Sequence, residues 1–388
     1  VEGFAAGAGD GSTKGALVKF RIDRDVLAES VSWAARTLPS RPTMPVLAAL
    51  RLEADADGIR VAGYDHEVFG EVSVPAEVAD GGVALVSGRL LADITKSLPG
   101  KPVDLVSEAG KVAVTCGSSR FTLQSLPVED YPALPELPET VGRVPVPVLA
   151  EAVAQVAVAA GRDDMLPVLT GIRIEIDGDQ LTLAATDRYR LAVRELAWHP
   201  ARPGASAVAL VPARSLAETT RSLTGDDVEI GLGASGLLGL ATADRRSTAR
   251  LIDGEFPKYR TLFPSESNTL ARVPTAALVE SVKRVALVAD RNSPVRLTFG
   301  LDEVTLEASS GDDAQASESI PAQVTGEGLT IGFNPAYLLD GLGAIDAPVA
   351  VLGFTQPARP AVLQGAADMD GEPIADYRYL LMPVRLAG

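Results

Sequence analysis

The chain has 388 residues, 46% apolar and 22% charged, enough apolar material for two or three globular domains. Acidic residues outnumber basic ones to a formal charge of −16, which excludes a basic domain held to nucleic acid by phosphate neutralisation alone. It leaves room for a DNA protein whose basic residues are gathered on one surface. No run approaches the ~18 uninterrupted apolar residues of a membrane-spanning helix.

Residues 1–16 are rich in Gly and Ala, with no apolar core and no cleavage-type signal, and are expected to form a disordered extension. A helix is expected from Val26, in Val26-Leu-Ala-Glu-Ser-Val-Ser-Trp-Ala-Ala-Arg36. Its pattern returns twice, in Val148-Leu-Ala-Glu-Ala-Val-Ala-Gln-Val-Ala-Val158 and Ala277-Leu-Val-Glu-Ser-Val-Lys-Arg-Val-Ala-Leu287. Each copy carries apolar residues at i, i+4, i+7 and i+11, one face of a helix: Leu27, Val31, Ala34, Leu38; Leu149, Val153, Val156, Ala160; Leu278, Val282, Val285, Ala289.

A second helix recurs downstream of each. Val83-Ala-Leu-Val-Ser-Gly-Arg-Leu-Leu-Ala-Asp93 resembles Val208-Ala-Leu-Val-Pro-Ala-Arg-Ser-Leu-Ala-Glu218, with a weaker third copy from Ile331 to Asp340. Their inward positions are Leu91, Thr95, Leu98; Leu216, Thr220, Leu223; and Leu338, Leu342, Ile345. Between helices the period falls to two, as in Ile172-Arg-Ile-Glu-Ile176, with breaks at Asp-Gly turns such as Asp57-Gly58. Proline-rich joints at 134–147 and 264–274 separate the units. An α+β protein of three repeats follows, with expected boundaries 17–140, 141–266 and 267–388. Periodicity does not choose between an open array and a closed ring, which would leave no free sheet edges.

Candidate chemistry is sparse. The lone Cys116 sits in a strand-like run and reads as packed, and a single cysteine fits a reducing, cytoplasmic compartment. His66 and His199 have no second ligand at metal spacing. Gly231-Leu-Gly-Ala-Ser-Gly236 spells a dinucleotide fingerprint, but Leu237-Leu-Gly-Leu follows where a helix is required, so a hairpin is expected. Asp163-Asp164, Asp226-Asp227 and Asp312-Asp313 read as solvated turn acids. With no phosphate-binding loop and no nucleophile elbow, a binding protein is expected rather than an enzyme, and no cofactor. The rival, a three-domain hydrolase or transferase, would need converging acids, bases or a metal cluster.

Two segments stand apart: Ala185-Thr-Asp-Arg-Tyr-Arg-Leu191, a hairpin connection in the middle repeat, and the apolar end Tyr379-Leu-Leu-Met-Pro-Val-Arg-Leu386, either a last core strand or the lining of a groove. Together with Arg41-Pro-Thr-Met-Pro-Val-Leu47 and Gly254-Glu-Phe-Pro-Lys-Tyr-Arg260, they make the chain, from about Lys19 onward, resemble the bacterial DNA polymerase III beta subunits, the DNA sliding clamps. The Ala-, Gly- and Arg-rich composition is similar to that of the actinobacterial members.

The resemblance implies the DNA clamp fold, three clamp domains of two helices packed on antiparallel sheets, paired head to tail in a ring that encircles duplex DNA. It implies a processivity subunit with no catalytic site, tethering the polymerase III alpha subunit, the clamp loader and other polymerases and repair proteins through a short peptide motif. By matching position, the peptide pocket would be built from Leu169, Thr186, Arg188, Tyr189, Arg190, Leu191, Pro257, Leu262, Pro360, Leu380, Met382, Pro383, Val384 and Arg385. Arg188-Tyr189 stands where the best-known members have Gly-His, Thr261 where a basic residue is common, Val384 for a Met, and Asn292 where an aromatic occurs, so the preferred peptide is left open. Arg36, Arg89, Lys96, Arg162, Arg214, Arg221, Lys283 and Arg284, on or beside the repeated helices, are the candidates to face DNA, and Arg41 matches a family DNA contact. Phe121 and Leu123 on one edge and Leu287 on the other are the candidate dimer contacts. A duplicate or resistance copy of a clamp, or a monomeric scaffold of the same fold, fits the same residues.

Overall fold

The computed structural model describes residues 18–290, 293–311 and 313–386. The extension 1–16, Asn292 and Asp312 lie outside the described residues.

Six α-helices stand among the described residues: α1 (Arg24–Ala34), α2 (Gly88–Ser97), α3 (Val146–Ala157), α4 (Ala213–Arg221), α5 (Thr275–Val285) and α6 (Pro335–Gly343). They pack in the pairs α1 with α2, α3 with α4 and α5 with α6, one pair per repeat. The helix starts follow from local chemistry. Asp23 caps α1 by accepting from the backbone N–H of Asp25 (2.8 Å) and Val26 (3.2 Å). Asn334 caps α6 in the same way, and Pro335 supplies the preset φ of a first helical residue.

The inward positions expected from the repeats are buried in all six helices, except that Ala289 stays half-buried. Thr95 and Thr220 take apolar places because each hydroxyl donates back to its own helix, to the Ala92 carbonyl (3.2 Å) and the Leu216 carbonyl (2.9 Å). A buried hydroxyl satisfied locally costs little.

Two compact units divide the chain: the described part of Val1–Leu137 with Gly239–Thr248, and the described part of Pro138–Leu238 with Ala249–Gly388. In the first, antiparallel strands run in the order Val68–Val74, Gly58–Tyr64, Ala49–Asp55, Gly82–Ser87, Ser119–Leu126, Lys111–Cys116, Val103–Glu108, Val18–Ile22 and Glu77–Asp80. One core cluster joins both helices of the repeat to these strands, Leu27, Leu50, Leu91 and Leu105 among its members. Cys116 is fully buried there, its thiol within 3.3 Å of the Pro99 carbonyl and 3.2 Å of the Lys101 carbonyl, as a packed strand residue should be.

The second unit holds the middle and C-terminal repeats together because one sheet runs through both. Its order is Ser206–Pro212, Gly171–Asp177, Gln180–Thr186, Arg190–Ala197, Tyr377–Leu381, Ala361–Ala366, Val349–Phe354, Thr269–Pro274 and Gln323–Thr325. The seam pairs Leu191 with Leu380 and Ala192 with Tyr379, so the C-terminal run is a core strand of the neighbouring repeat's sheet. Tyr379 is fully buried and donates its hydroxyl to the Tyr337 carbonyl at 2.8 Å. It lies so close to α6 that a Cβ on Gly341 would meet its ring at 2.4 Å, which only glycine avoids. A four-stranded sheet, Ala314–Pro321, Glu303–Ser310, Val295–Phe299 and Leu329–Phe333, completes the C-terminal repeat.

Strands Asp227–Leu232 and Leu237–Ala241 flank the Gly231–Gly236 segment, and no helix follows it, so the fingerprint spelling is a strand connection. Asp163, Asp164, Asp226, Asp227 and Asp313 are exposed. No group of three metal-ligating residues occurs among the described residues, and no described helix is long and apolar enough to cross a membrane.

Candidate functional site: an apolar groove beside the sheet seam

The turn at residues 186–190 is built by its own polar side chains. Thr186 donates its hydroxyl to the Arg190 carbonyl (2.7 Å), while Asp187 Oδ1 accepts from the backbone N–H of Tyr189 (3.0 Å) and Arg190 (3.1 Å). Arg190 then rivets the turn to α6. Its Nε donates to Asp187 Oδ2 (2.9 Å), its terminal nitrogen to Asp340 (2.5 Å), and its guanidinium lies 4.3 Å from the Tyr337 ring centroid. The side chain is 4% exposed. Burial works against its charge, but the hydrogen bond to Asp340 and the neighbouring groups outweigh it and raise the pKa, so the cation is permanent. Tyr189 stays exposed and stacks on Tyr337 at 6.3 Å, and its carbonyl accepts from the Met382 N–H (2.8 Å).

That last bond fixes where the C-terminal strand leaves the sheet, and there a cavity of about 760 Å³ opens. Its floor is Leu191 and Leu380, both buried and part of a core cluster with Phe256 and Tyr259. Pro257, Leu262, Phe263, Pro264 and Met382 form the walls, and Thr355, Gln356, Ala358, Arg359 and Pro360 close the far side. Leu262 is 51% exposed and Met382 40%, so apolar surface faces solvent across a rigid floor. The loop carrying Pro257 and Leu262 is tied down by Glu175, which accepts from the Tyr259 hydroxyl (3.0 Å) and Arg260 (2.5 Å) and pairs with Arg173. Burial pushes the Glu175 carboxyl up, but those hydrogen bonds from Arg260, Arg173 and Tyr259 win and hold it below the usual carboxylate range.

Of the expected pocket residues, Thr186, Arg188, Arg190, Leu191, Pro257, Leu262, Pro360, Leu380 and Met382 come together around this groove. Leu169 and Tyr189 instead line an adjoining cavity of about 610 Å³, which shares Arg188 and Arg190 with the groove. Pro383, Val384 and Arg385 line neither. The chain has turned away by then, and the Val384 N–H pairs with the Gly332 carbonyl at 2.8 Å. Sequence reading missed Phe263, Pro264, Thr355, Gln356, Ala358 and Arg359 as groove residues; the one signal for Gln356, Ala358 and Arg359 is the proline-punctuated run Gln356-Pro-Ala-Arg-Pro360.

Arg36, Arg41, Arg89, Lys96, Arg162, Arg214, Arg221, Lys283 and Arg284 are all exposed. Arg162 and Arg214 line one shared cavity. Arg214, Lys283 and Arg284 carry carboxylate partners, Glu218 (3.1 Å), Glu280 (2.8 Å) and Glu318 (2.5 Å). Phe121 (36%) and Leu287 (83%) are exposed, whereas Leu123 is 4% exposed. The Leu123 side chain packs in the core cluster of the first repeat, so in the single chain it is Phe121 that presents apolar surface from this strand.

Repeated helix pairs, a sheet that runs through two repeats and an apolar groove with a buried floor are the features of a binding protein. Its three thirds match family models of the DNA polymerase III beta subunit: N-terminal domain over residues 18–135, central domain over 143–258 and C-terminal domain over 260–385. The chain is 56% identical over 376 residues to the beta sliding clamp of Streptomyces coelicolor, covering 96% of this chain and 100% of that protein. It is 45% identical over 370 residues to the beta sliding clamp homolog GriR of Streptomyces muensis, covering 95% and 99%. Among solved structures, the Pseudomonas aeruginosa sliding clamp bound to griselimycin superposes with a TM-score of 0.89 at 29% identity, covering 96% of this chain and 100% of that one. The Bacillus subtilis sliding clamp superposes with a TM-score of 0.88 at 26% identity, covering 95% and 100%. The chain belongs to the bacterial DNA polymerase III beta subunit family, the beta sliding clamps. It is a processivity subunit with three clamp domains, not an enzyme.

Proposed function

We propose that two copies of this chain close head to tail into a ring around duplex DNA in the cytoplasm, and that the groove between Leu262 and Met382 captures a short peptide from the polymerase III alpha subunit, the clamp loader and repair proteins. The observation that carries the peptide reading is the 760 Å³ groove with its buried Leu191 and Leu380 floor and half-exposed apolar walls. Such a site gains affinity by burying an apolar anchor, with few polar groups to orient it.

Two strand edges support the ring. Residues 119–124 pair with Lys111–Cys116 on one side, while pairing on the other side begins only at Ser125. Ala314–Pro321 ends its own four-stranded sheet. An exposed edge of this kind invites a second chain, and Phe121 near one edge and Leu287 beside α5 would supply apolar contact. The three domains are proposed to run over 17–140, 141–266 and 267–388. A ring holds DNA by topology, so it needs no tight grip. Exposed Arg36, Arg41, Arg89, Lys96, Arg162 and Arg221 attract the enclosed duplex, and the net charge of −16 keeps stray DNA off the rest of the surface.

Retention on DNA tests this directly. Protein loaded onto nicked circular plasmid should co-elute with it through a sizing column in high salt and be lost once the plasmid is linearised. Equal loss from circular and linear DNA would overturn the ring.

A further inference from the structure

The sheet face that floors the groove continues past Leu191 and Leu380. Leu191 pairs with Leu380 and Val193 with Arg378, so Arg378 stands two residues before Leu380 on the same strand and on the same face. Val193 and Glu195 continue that face on the neighbouring strand. Arg378 donates to Glu195 Oε1 at 3.0 Å, and Glu195 Oε2 accepts from the Gln180 amide at 3.1 Å. An ion pair therefore borders the apolar floor, its two side chains 33% and 31% exposed.

Phe263 stands at that border. It lines the groove, packs against the cluster of Leu191, Val193 and Leu380, and has the Arg378 guanidinium over its ring, 4.8 Å from the centroid. Its backbone is extended, φ −72° and ψ 131°, as the following Pro264 favours. The loop before it is anchored by Tyr259 and Arg260 on Glu175. Those ties fix the main chain and leave the ring's own torsions to its neighbours. What orders the ring is the cluster it packs on and the guanidinium over it.

We propose that Arg378 is a positioning residue for peptide capture: held by Glu195, its guanidinium keeps Phe263 as a pre-ordered wall of the groove. The proposal rests on the peptide-capture reading above and adds to it a residue that does not itself line the groove. A wall that is ordered before the peptide arrives spares the complex the entropy of ordering it, and the saving appears as affinity. Glu195 matters because it holds the guanidinium in one place, which a free arginine side chain would not keep. Both groups are partly exposed, so the effect is a few-fold and not a switch.

A double-mutant cycle tests it, with a labelled decapeptide carrying a Leu-Phe anchor titrated by fluorescence anisotropy and a thermal melt of each protein. Arg378→Gln should weaken binding about threefold to fivefold. Arg378→Lys keeps a cation beside the ring and should stay within about twofold of wild type. In a Phe263→Leu background, Arg378→Gln should cost nothing further, because the ring it positions is gone. An ion pair that serves only to hold the strands together would lower the melting temperature and weaken binding equally in both backgrounds. That result, or an unchanged Kd in Arg378→Gln, overturns the proposal. Met382→Asp separates the two levels of the argument. Peptide bound equally well by Met382→Asp overturns the groove reading itself, whereas binding lost in Met382→Asp with no coupling between Arg378 and Phe263 overturns the positioning role alone.

Discussion

Met382→Asp is the substitution that bears most directly on the groove. The wild-type side chain is 40% exposed at the groove wall, and its backbone is held by the Tyr189 carbonyl at 2.8 Å whatever the side chain. Fully burying a methionine is worth about 1.5–3 kcal/mol, so covering the exposed part and the facing part of a peptide anchor is worth about 1–2 kcal/mol. An introduced carboxylate forfeits that gain and must also shed water when a peptide seats, a further penalty of several kcal/mol. The net loss is about 3 kcal/mol, or roughly a hundredfold in Kd. Folding is spared, because half-exposed surface positions change stability by only about 0.5 kcal/mol. Anisotropy titration with an apolar-anchor peptide, beside a thermal melt of each protein, measures both quantities. A Kd within threefold of wild type at an unchanged Tm would refute the assignment of Met382 to the wall and the energetics built on it.

Other expectations follow from single residues. Leu287→Asp places a charge on a side chain that is 83% exposed in the single chain, so it should leave the melt unchanged while weakening self-association about a hundredfold by sedimentation velocity; an unaltered dimer removes Leu287 from the interface. Glu175→Gln should cost about 1–3 kcal/mol in urea unfolding at pH 7, because Arg173, Arg260 and Tyr259 lose a charged acceptor. The folded carboxyl lies below its ordinary value of 4.5, so its contribution is complete above that pH and is lost as pH falls through the folded pKa. The gap between variant and wild type should therefore narrow as pH falls below 4.5 towards the folded pKa; a gap that holds constant from pH 7 to 3 would show that the ionised carboxylate is not what ties down the loop.

Much of this molecule is legible in one dimension because its repeats obey local rules. Helix faces such as Leu27, Val31, Ala34 and Leu38 follow from 3.6-residue periodicity, and even Thr95 and Thr220 declare themselves by occupying the same slot in two copies. The hairpin around Gly231–Gly236 was predictable because a phosphate-binding turn needs a helix that the following residues do not form. The resemblance carried the groove's floor and one wall, Leu191, Leu380, Leu262 and Met382.

What one dimension could not decide depends on direction and on distant pairing. Leu123 and Phe121 share a strand and a parity, yet Leu123 is covered by the core and Phe121 is not, because burial depends on what packs against each place along the strand. Pro383, Val384 and Arg385 continue the groove's own strand in sequence, but the pairing of Val384 with Gly332 takes them off the lining. Arg359 reached the rim because strands Val349–Phe354 and Ala361–Ala366 pair and set the loop between them over Leu191, some 170 residues away in sequence. Local periodicity encodes which side of an element faces inward; only the assembled sheet determines which elements meet, and so where an apolar floor is left open to receive a partner.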